Sequence, residues 1–126
     1  MKTMNSMSYS AIDPMVLWRA SAADLPTFRL LAGIFLEQAP PLVGKLRAAL
    51  QAGHAAEVAS ASHALKGMTG LIGAGALGGL LQAIEQHARG RAAEAQPDSR
   101  PLPQLFDAVM QEMAHAATHF APPVPA

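Results

Sequence analysis

From Phe28 onward, apolar side chains return every three or four residues: Phe28, Leu31, Phe35, Ala39, Leu42, Leu46 and Leu50. That interval is the repeat of one helical face, and a half-buried strand, whose side chains alternate, cannot use it. Asp24-Leu25-Pro26 opens the run with an N-cap and a proline where a first turn tolerates it, and Gly53 closes it. Similar signals predict four more helices. A short one runs through Met15, Leu17 and Trp18 behind Asp13-Pro14, and a third spans about His54 to Ile72. A fourth carries Leu77, Leu80, Leu81 and Ile84 to about Arg89, and the last shows Leu102, Leu105, Phe106, Val109, Met113 and Phe120. Pro40-Pro41 removes two backbone donors from the longest run and predicts a kink or restart there. Gly90 to Pro103, with glycine, serine and three prolines, reads as a loop.

Aromatic residues are only 5% of the chain, and its alanine and leucine richness favours helix. The expected class is therefore all-α: an antiparallel four-helix bundle with a short extra N-terminal helix. One domain is expected over residues 12–120, with 1–11 and 121–126 as flexible termini. Nine basic and nine acidic residues cancel, which removes the main electrostatic term for binding nucleic acid. No apolar run reaches the roughly 18 residues of a membrane span, and Met1 to Ser10 lacks the apolar segment of a secretory signal. There is no cysteine, hence no disulfide or thiolate chemistry. The expectation is a cytoplasmic monomer without metal or cofactor of its own.

The third predicted helix has an unusual outer face. With about 100° per residue, Ala56, Ala59, Ser60, Lys66, Gly67 and Gly70 fall within roughly 60° of His63. Val58, Ala61, Leu65, Met68 and Ile72 cluster opposite and read as the core side. A solvent face ordinarily carries long charged side chains, and each mid-helix glycine is destabilising by about 0.5–1 kcal/mol relative to alanine. Small residues around a projecting imidazole would let another protein surface come close, and Lys66, one turn on, could pair with an anion there. On this geometry alone, a plain surface histidine in an alanine-rich helix is the alternative.

The stretch His63-Ala64-Leu65-Lys66-Gly67-Met68-Thr69-Gly70-Leu71-Ile72-Gly73-Ala74 resembles the signature of histidine-containing phosphotransfer (HPt) domains of bacterial multistep phosphorelays. Phe35 to Pro40 is similar to that family's second helix, and Leu77, Leu80, Leu81, Ile84 and Glu85 to its fourth. The resemblance covers about residues 12–90 and implies a four-helix bundle. It implies a phosphoryl carrier rather than an enzyme. His63 would accept the group from an aspartyl phosphate on a receiver domain and pass it to another receiver aspartate. The partners implied are receiver domains of response regulators or of a hybrid histidine kinase, and the receiver supplies Mg²⁺ and the acidic pocket. An exposed imidazole, which carries a lone-pair nitrogen in its neutral form, suits the nucleophile's role. Lys66 would pair with phosphoryl oxygens, Gly67 would leave room for the receiver, and Ala59, Ser60 and Gly70 would line the contact. The rival is an HPt-like docking module that binds a receiver without carrying phosphate. His63 and Lys66, both present, argue against it.

Met68 and Thr69 stand where the family often has serine, and His54 where it often has the capping aspartate. By resemblance, Glu85 would accept a hydrogen bond from His63 Nδ1, leaving Nε2 to attack, with Gln82 one turn earlier as the substitute. A solvated glutamate is the plain alternative. His115 and His119 have a metal-chelating spacing but lack a third ligand, and His87 with Arg89-Gly90-Arg91 reads as a polar helix end.

Overall fold

The computed structural model describes residues 9–90 and 97–123. Among them are five helices and no strand: α1 (Pro14–Ala20), α2 (Leu25–Ala52), α3 (Ala55–Leu71), α4 (Gly75–Ala88) and α5 (Leu102–His119). The starts of α1 and α2 are where two Asp-Pro signals put them. Asp13 accepts from the Met15 N–H at 3.1 Å, and Asp24 from the Thr27 N–H at 3.0 Å. Each satisfies an amide that a first turn leaves orphaned. His54 caps α3 by position only, with no side-chain hydrogen bond.

Pro40 and Pro41 do not divide α2, which runs unbroken for 28 residues. Both prolines are exposed, and the carbonyls they leave without donors belong to Leu36 and Glu37, one half-buried and the other exposed, on the outer side of the helix. Meanwhile Phe35, Ala39 and Val43 are buried on the opposite side and pin both halves to one core. The buried stripe also sits slightly off the expected one. Ala32, Val43 and Ala49 are fully covered, whereas Leu31, Leu42 and Leu50 lie at its margin.

Helix α3 packs against both α4 and α2, α2 also against α5, and α4 against α5; α1 rests on α2 and α3. Leu46, Leu65, Leu81, Leu102 and Met113 meet in the shared core, each burial contributing about 1.5–3 kcal/mol. At one end Phe28 stacks on Phe120 with ring centroids 4.5 Å apart, and Trp18 leans on both. The α3–α4 turn is tight because Gly73 has φ of +66°, and a Cβ there would come 2.7 Å from Asp13 Cβ. Asp13 N–H in turn donates to the Ile72 carbonyl at 3.0 Å. Only glycine meets both demands at that position.

Residues 9–11 fall in the stretch expected to be a flexible terminus, but they are tied down. The Glu112 carboxylate of α5 accepts from the backbone amides of Ser10, Ala11 and Ile12. Tyr9 Oη lies 2.8 Å from His115 Nδ1. Residues 1–8 and 124–126 of the expected termini, and 91–96 of the expected loop, lie outside the described residues. No helix among those described is long and apolar enough to cross a membrane.

Candidate functional site

His63 projects from the middle of α3 with its side chain 65% exposed. Beneath it α4 presents Glu85, only 4% exposed. Helices α3 and α4 run past each other in opposite directions, so His63 meets Glu85 while Lys66 meets Gln82. The glycine at position 78 permits this closeness, since a Cβ there would lie 3.2 Å from Thr69 Oγ1.

Three side chains converge on the Glu85 carboxylate. His63 Nδ1 is 3.0 Å from Oε2, Arg89 Nε donates to the same oxygen at 2.8 Å, and Lys66 Nζ is 2.9 Å from Oε1. Lys66 first, then Arg89 and His63, outweigh the effect of burial and hold the Glu85 carboxyl down to about 2. A carboxylate ionised at neutral pH can only accept, so His63 Nδ1 must carry the hydrogen. That fixes the tautomer and leaves Nε2 as the lone-pair nitrogen. The plain alternative for Glu85, a solvated glutamate, is excluded by its burial and its three partners.

The remaining candidate residues divide. Gly67, Gly70 and Ser60 are exposed beside His63, and a Cβ on either glycine would meet no heavy atom within 4 Å. Ala59 was expected on the accessible face but is 5% exposed. It lies on the side of α3 that α4 covers, and helps floor a shallow, open depression with Ala56, Ser60, His63, Ala88 and Arg89. Gln82 reaches Lys66 rather than His63, so it supports the lysine and not the imidazole. Met68, expected in the core, is only partly buried, and Thr69 takes the covered position with its hydroxyl on the Lys66 carbonyl at 2.9 Å. Ser62 is likewise buried, its hydroxyl returned to the Val58 carbonyl at 2.6 Å. A wheel drawn for one covered face misses both, because α3 has neighbours on two sides.

Arg89 was read from sequence as a polar helix end, yet it belongs to this cluster. The signal was present: Glu85 and Arg89 are four apart on one helix, the spacing at which opposite charges pair. Away from the cluster, His115 and His119 stack with centroids 4.6 Å apart, and their Nδ1 atoms face Tyr9 and Thr118. Among the described residues no three His, Cys, Asp or Glu side chains group as metal ligands would.

The arrangement is an exposed imidazole with one nitrogen held by a buried carboxylate and the other open, on a face with few side chains to obstruct an approach. Comparison with known proteins points the same way. The family described as Hpt domain matches residues 30–117. Among solved structures, the crystal structure of histidine-containing phosphotransfer protein B from Pseudomonas aeruginosa is similar, with a TM-score of 0.61 and 26% sequence identity. The likeness covers 85% of this chain and 88% of that one. No curated protein matches the chain.

Proposed function

The chain belongs to the Hpt domain family, a phosphocarrier family of two-component phosphorelays, and from that premise we propose that His63 is the residue that bears the phosphoryl group. The partners we propose are receiver domains of response regulators or of a hybrid kinase, with Mg²⁺ and the acidic pocket on the receiver. The working unit is residues 12–120, arranged as an antiparallel four-helix bundle of α2 to α5 with α1 at one end.

The observation that carries this reading is the contact between His63 Nδ1 and the buried Glu85 carboxylate. His63 Nε2 attacks the phosphorus of an aspartyl phosphate, the phosphorus–oxygen bond to the aspartate breaks, and a phosphorus–nitrogen bond forms. The imidazole retains its Nδ1 hydrogen, so positive charge develops on the ring as the new bond forms. The Glu85 carboxylate is placed against that charge before the reaction begins, which is the most economical form of electrostatic stabilisation. Such transfer depends on in-line positioning, and exposed Ser60, Gly67 and Gly70 leave space for a receiver to reach the nitrogen.

Incubation with a phosphorylated receiver tests the reading. The expected product is an acid-labile, alkali-stable adduct on this chain that is absent in His63→Gln. Because the His63 side chain is mostly exposed, that variant should unfold at nearly the wild-type temperature. Labelling that survives the substitution, or that maps to His54, His87, His115 or His119, overturns the assignment.

A further inference from the structure

Near the C-terminal end of α5, His115 and His119 stand about one helical turn apart. Their rings stack with centroids 4.6 Å apart and 18° between the planes. His115 is half-buried and His119 exposed. Each ring turns Nδ1 toward oxygen atoms of the protein. His115 Nδ1 lies 2.8 Å from Tyr9 Oη, and His119 Nδ1 lies 2.7 Å from Thr118 Oγ1 and 3.3 Å from the His115 carbonyl. A carbonyl only accepts, so the hydrogen of the His119 ring belongs on Nδ1. The Tyr9 hydroxyl can donate or accept, and it accepts when His115 carries its hydrogen on the same nitrogen. In that arrangement both rings keep a lone pair on Nε2. Among the described residues neither Nε2 has a hydrogen-bond partner in the protein.

We propose that His115 and His119 chelate one late first-row divalent metal ion, such as Zn²⁺ or Ni²⁺, through their Nε2 atoms, with water in the remaining positions. The proposal does not depend on the carrier reading. Histidines four apart on a helix present both imidazoles to one face. A ligating imidazole ordinarily donates its other N–H to an outer acceptor, which fixes the ring and raises its basicity. The His115 carbonyl is placed to serve His119 in that way, and the Tyr9 hydroxyl to serve His115. Stacked rings do not converge on one ion at metal–nitrogen bonds of about 2.0–2.1 Å. The exposed His119 side chain therefore tilts toward its neighbour as the ion binds. Imidazole nitrogens favour such ions over Mg²⁺ and Ca²⁺, which take oxygen ligands. Tyr9 precedes α1, so the ion also acts on that segment. A metal-bound imidazole is the stronger donor at Nδ1, which tightens the hold of α5 on Tyr9.

Titration of the intact chain with zinc, nickel and magnesium chlorides tests the proposal in wild type, His119→Gln, Tyr9→Phe and His63→Gln. Calorimetry gives stoichiometry and affinity, and imidazole nitrogen spectra with Zn²⁺ identify the ligands. The expected result is one Zn²⁺ or Ni²⁺ per chain and no uptake of Mg²⁺. The Nε2 signals of His115 and His119 should shift on binding, while the rings of His54, His63 and His87 stay unchanged. His119→Gln alters an exposed side chain, so without metal it should unfold at nearly the wild-type temperature. It should bind at least about tenfold more weakly, because even the loss of an outer partner has that effect. Tyr9→Phe, which loses such a partner, should bind about tenfold more weakly. Zn²⁺ should also raise its unfolding temperature less than that of wild type. His63→Gln should bind as wild type does. Absence of Zn²⁺ and Ni²⁺ uptake by wild type, or undiminished uptake by His119→Gln, overturns the site. So does uptake that is lost in His63→Gln, which would place the ion on the His63–Glu85 pair. One ion per two chains would make it a bridge between copies and equally overturn the chelate. Wild-type affinity in Tyr9→Phe overturns the role given to Tyr9.

Discussion

Glu85 and Glu112 are covered to a similar degree, 4% and 9% exposed, and each is held by several donors. Their partners differ in kind. Glu112 Oε1 accepts from the backbone amides of Ala11 and Ile12, at 2.9 and 3.2 Å, and Oε2 from the Ser10 amide and hydroxyl. Glu85 is held by side chains alone, two of them cations that are themselves 31% and 34% exposed. Backbone amides cannot turn away when their acceptor is removed, whereas Lys66 and Arg89 can swing into water. Burial alone therefore does not tell the two carboxylates apart; the freedom of their donors does. Glu112 ties the segment before α1 to α5, and Glu85 holds the Nδ1 side of the exposed His63 imidazole.

The largest expected stability effect follows from that distinction. Glu112→Ala leaves three backbone amides without their acceptor, one of them on buried Ile12, and should destabilise the fold by about 3 kcal/mol. Urea unfolding measures it. Phosphoryl uptake per folded molecule should stay at the wild-type level. A loss of uptake in molecules that remain folded would break the comparison from the Glu112 side.

Glu85→Ala should reverse the pattern, with a smaller stability loss of about 1–2 kcal/mol and uptake lower by about tenfold or more. The His63 tautomer preference, read from ring nitrogen shifts, should relax as well. Acid sharpens the test. The Glu85 carboxyl is depressed in the folded state from 4.5 to about 2, so its contribution is fully present above the unfolded value. It fades as pH falls from about 4.5 through about 2. The stability gap between wild type and Glu85→Ala should close across that window. A gap that is constant from neutral pH down to pH 2 would mean the cations contribute nothing to holding Glu85.

The contrast also marks what the sequence could and could not reveal. Asp13-Pro14 and Asp24-Leu25-Pro26 were legible because a cap and its amide lie within three residues. The exposed, small-residue face around His63 was legible because helical periodicity needs no partner. Contact between Glu85 and His63, 22 residues apart on separate helices, was available only through family resemblance, since periodicity does not say how two helices are registered. Arg89 could have been found from its spacing to Glu85. Glu112 could not, because its partners lie about a hundred residues away and are backbone groups without a side-chain signature. Ala22 and Ala23 likewise give no warning of their left-handed φ values of 54° and 56° in the α1–α2 turn, a conformation that glycine or asparagine would have signalled.

The smallest expected effect concerns Gln82, which shares Lys66 with Glu85. The Gln82 side chain lies on the exposed side of α4 and accepts one hydrogen bond from Lys66 Nζ. A surface hydrogen bond with water close at hand is worth little, because water replaces the lost acceptor. Lys66 in Gln82→Ala still has Glu85 Oε1 at 2.9 Å, so Glu85 remains ionised and His63 Nδ1 keeps its acceptor. Stability should therefore change by less than about 0.5 kcal/mol, uptake should stay within twofold of wild type, and the His63 tautomer ratio should not move. Gln82→Glu provides the complementary case. A second carboxylate one turn from Glu85 competes for the same ammonium and should draw Lys66 outward, leaving Glu85 to Arg89 and His63. That variant should lose more uptake than Gln82→Ala while remaining folded. If instead Gln82→Ala reduces uptake as much as Glu85→Ala does, then the lysine is positioned by its exposed partner and not by the buried one. The functional half of the comparison between the two glutamates would then belong to the Lys66–Gln82 pair.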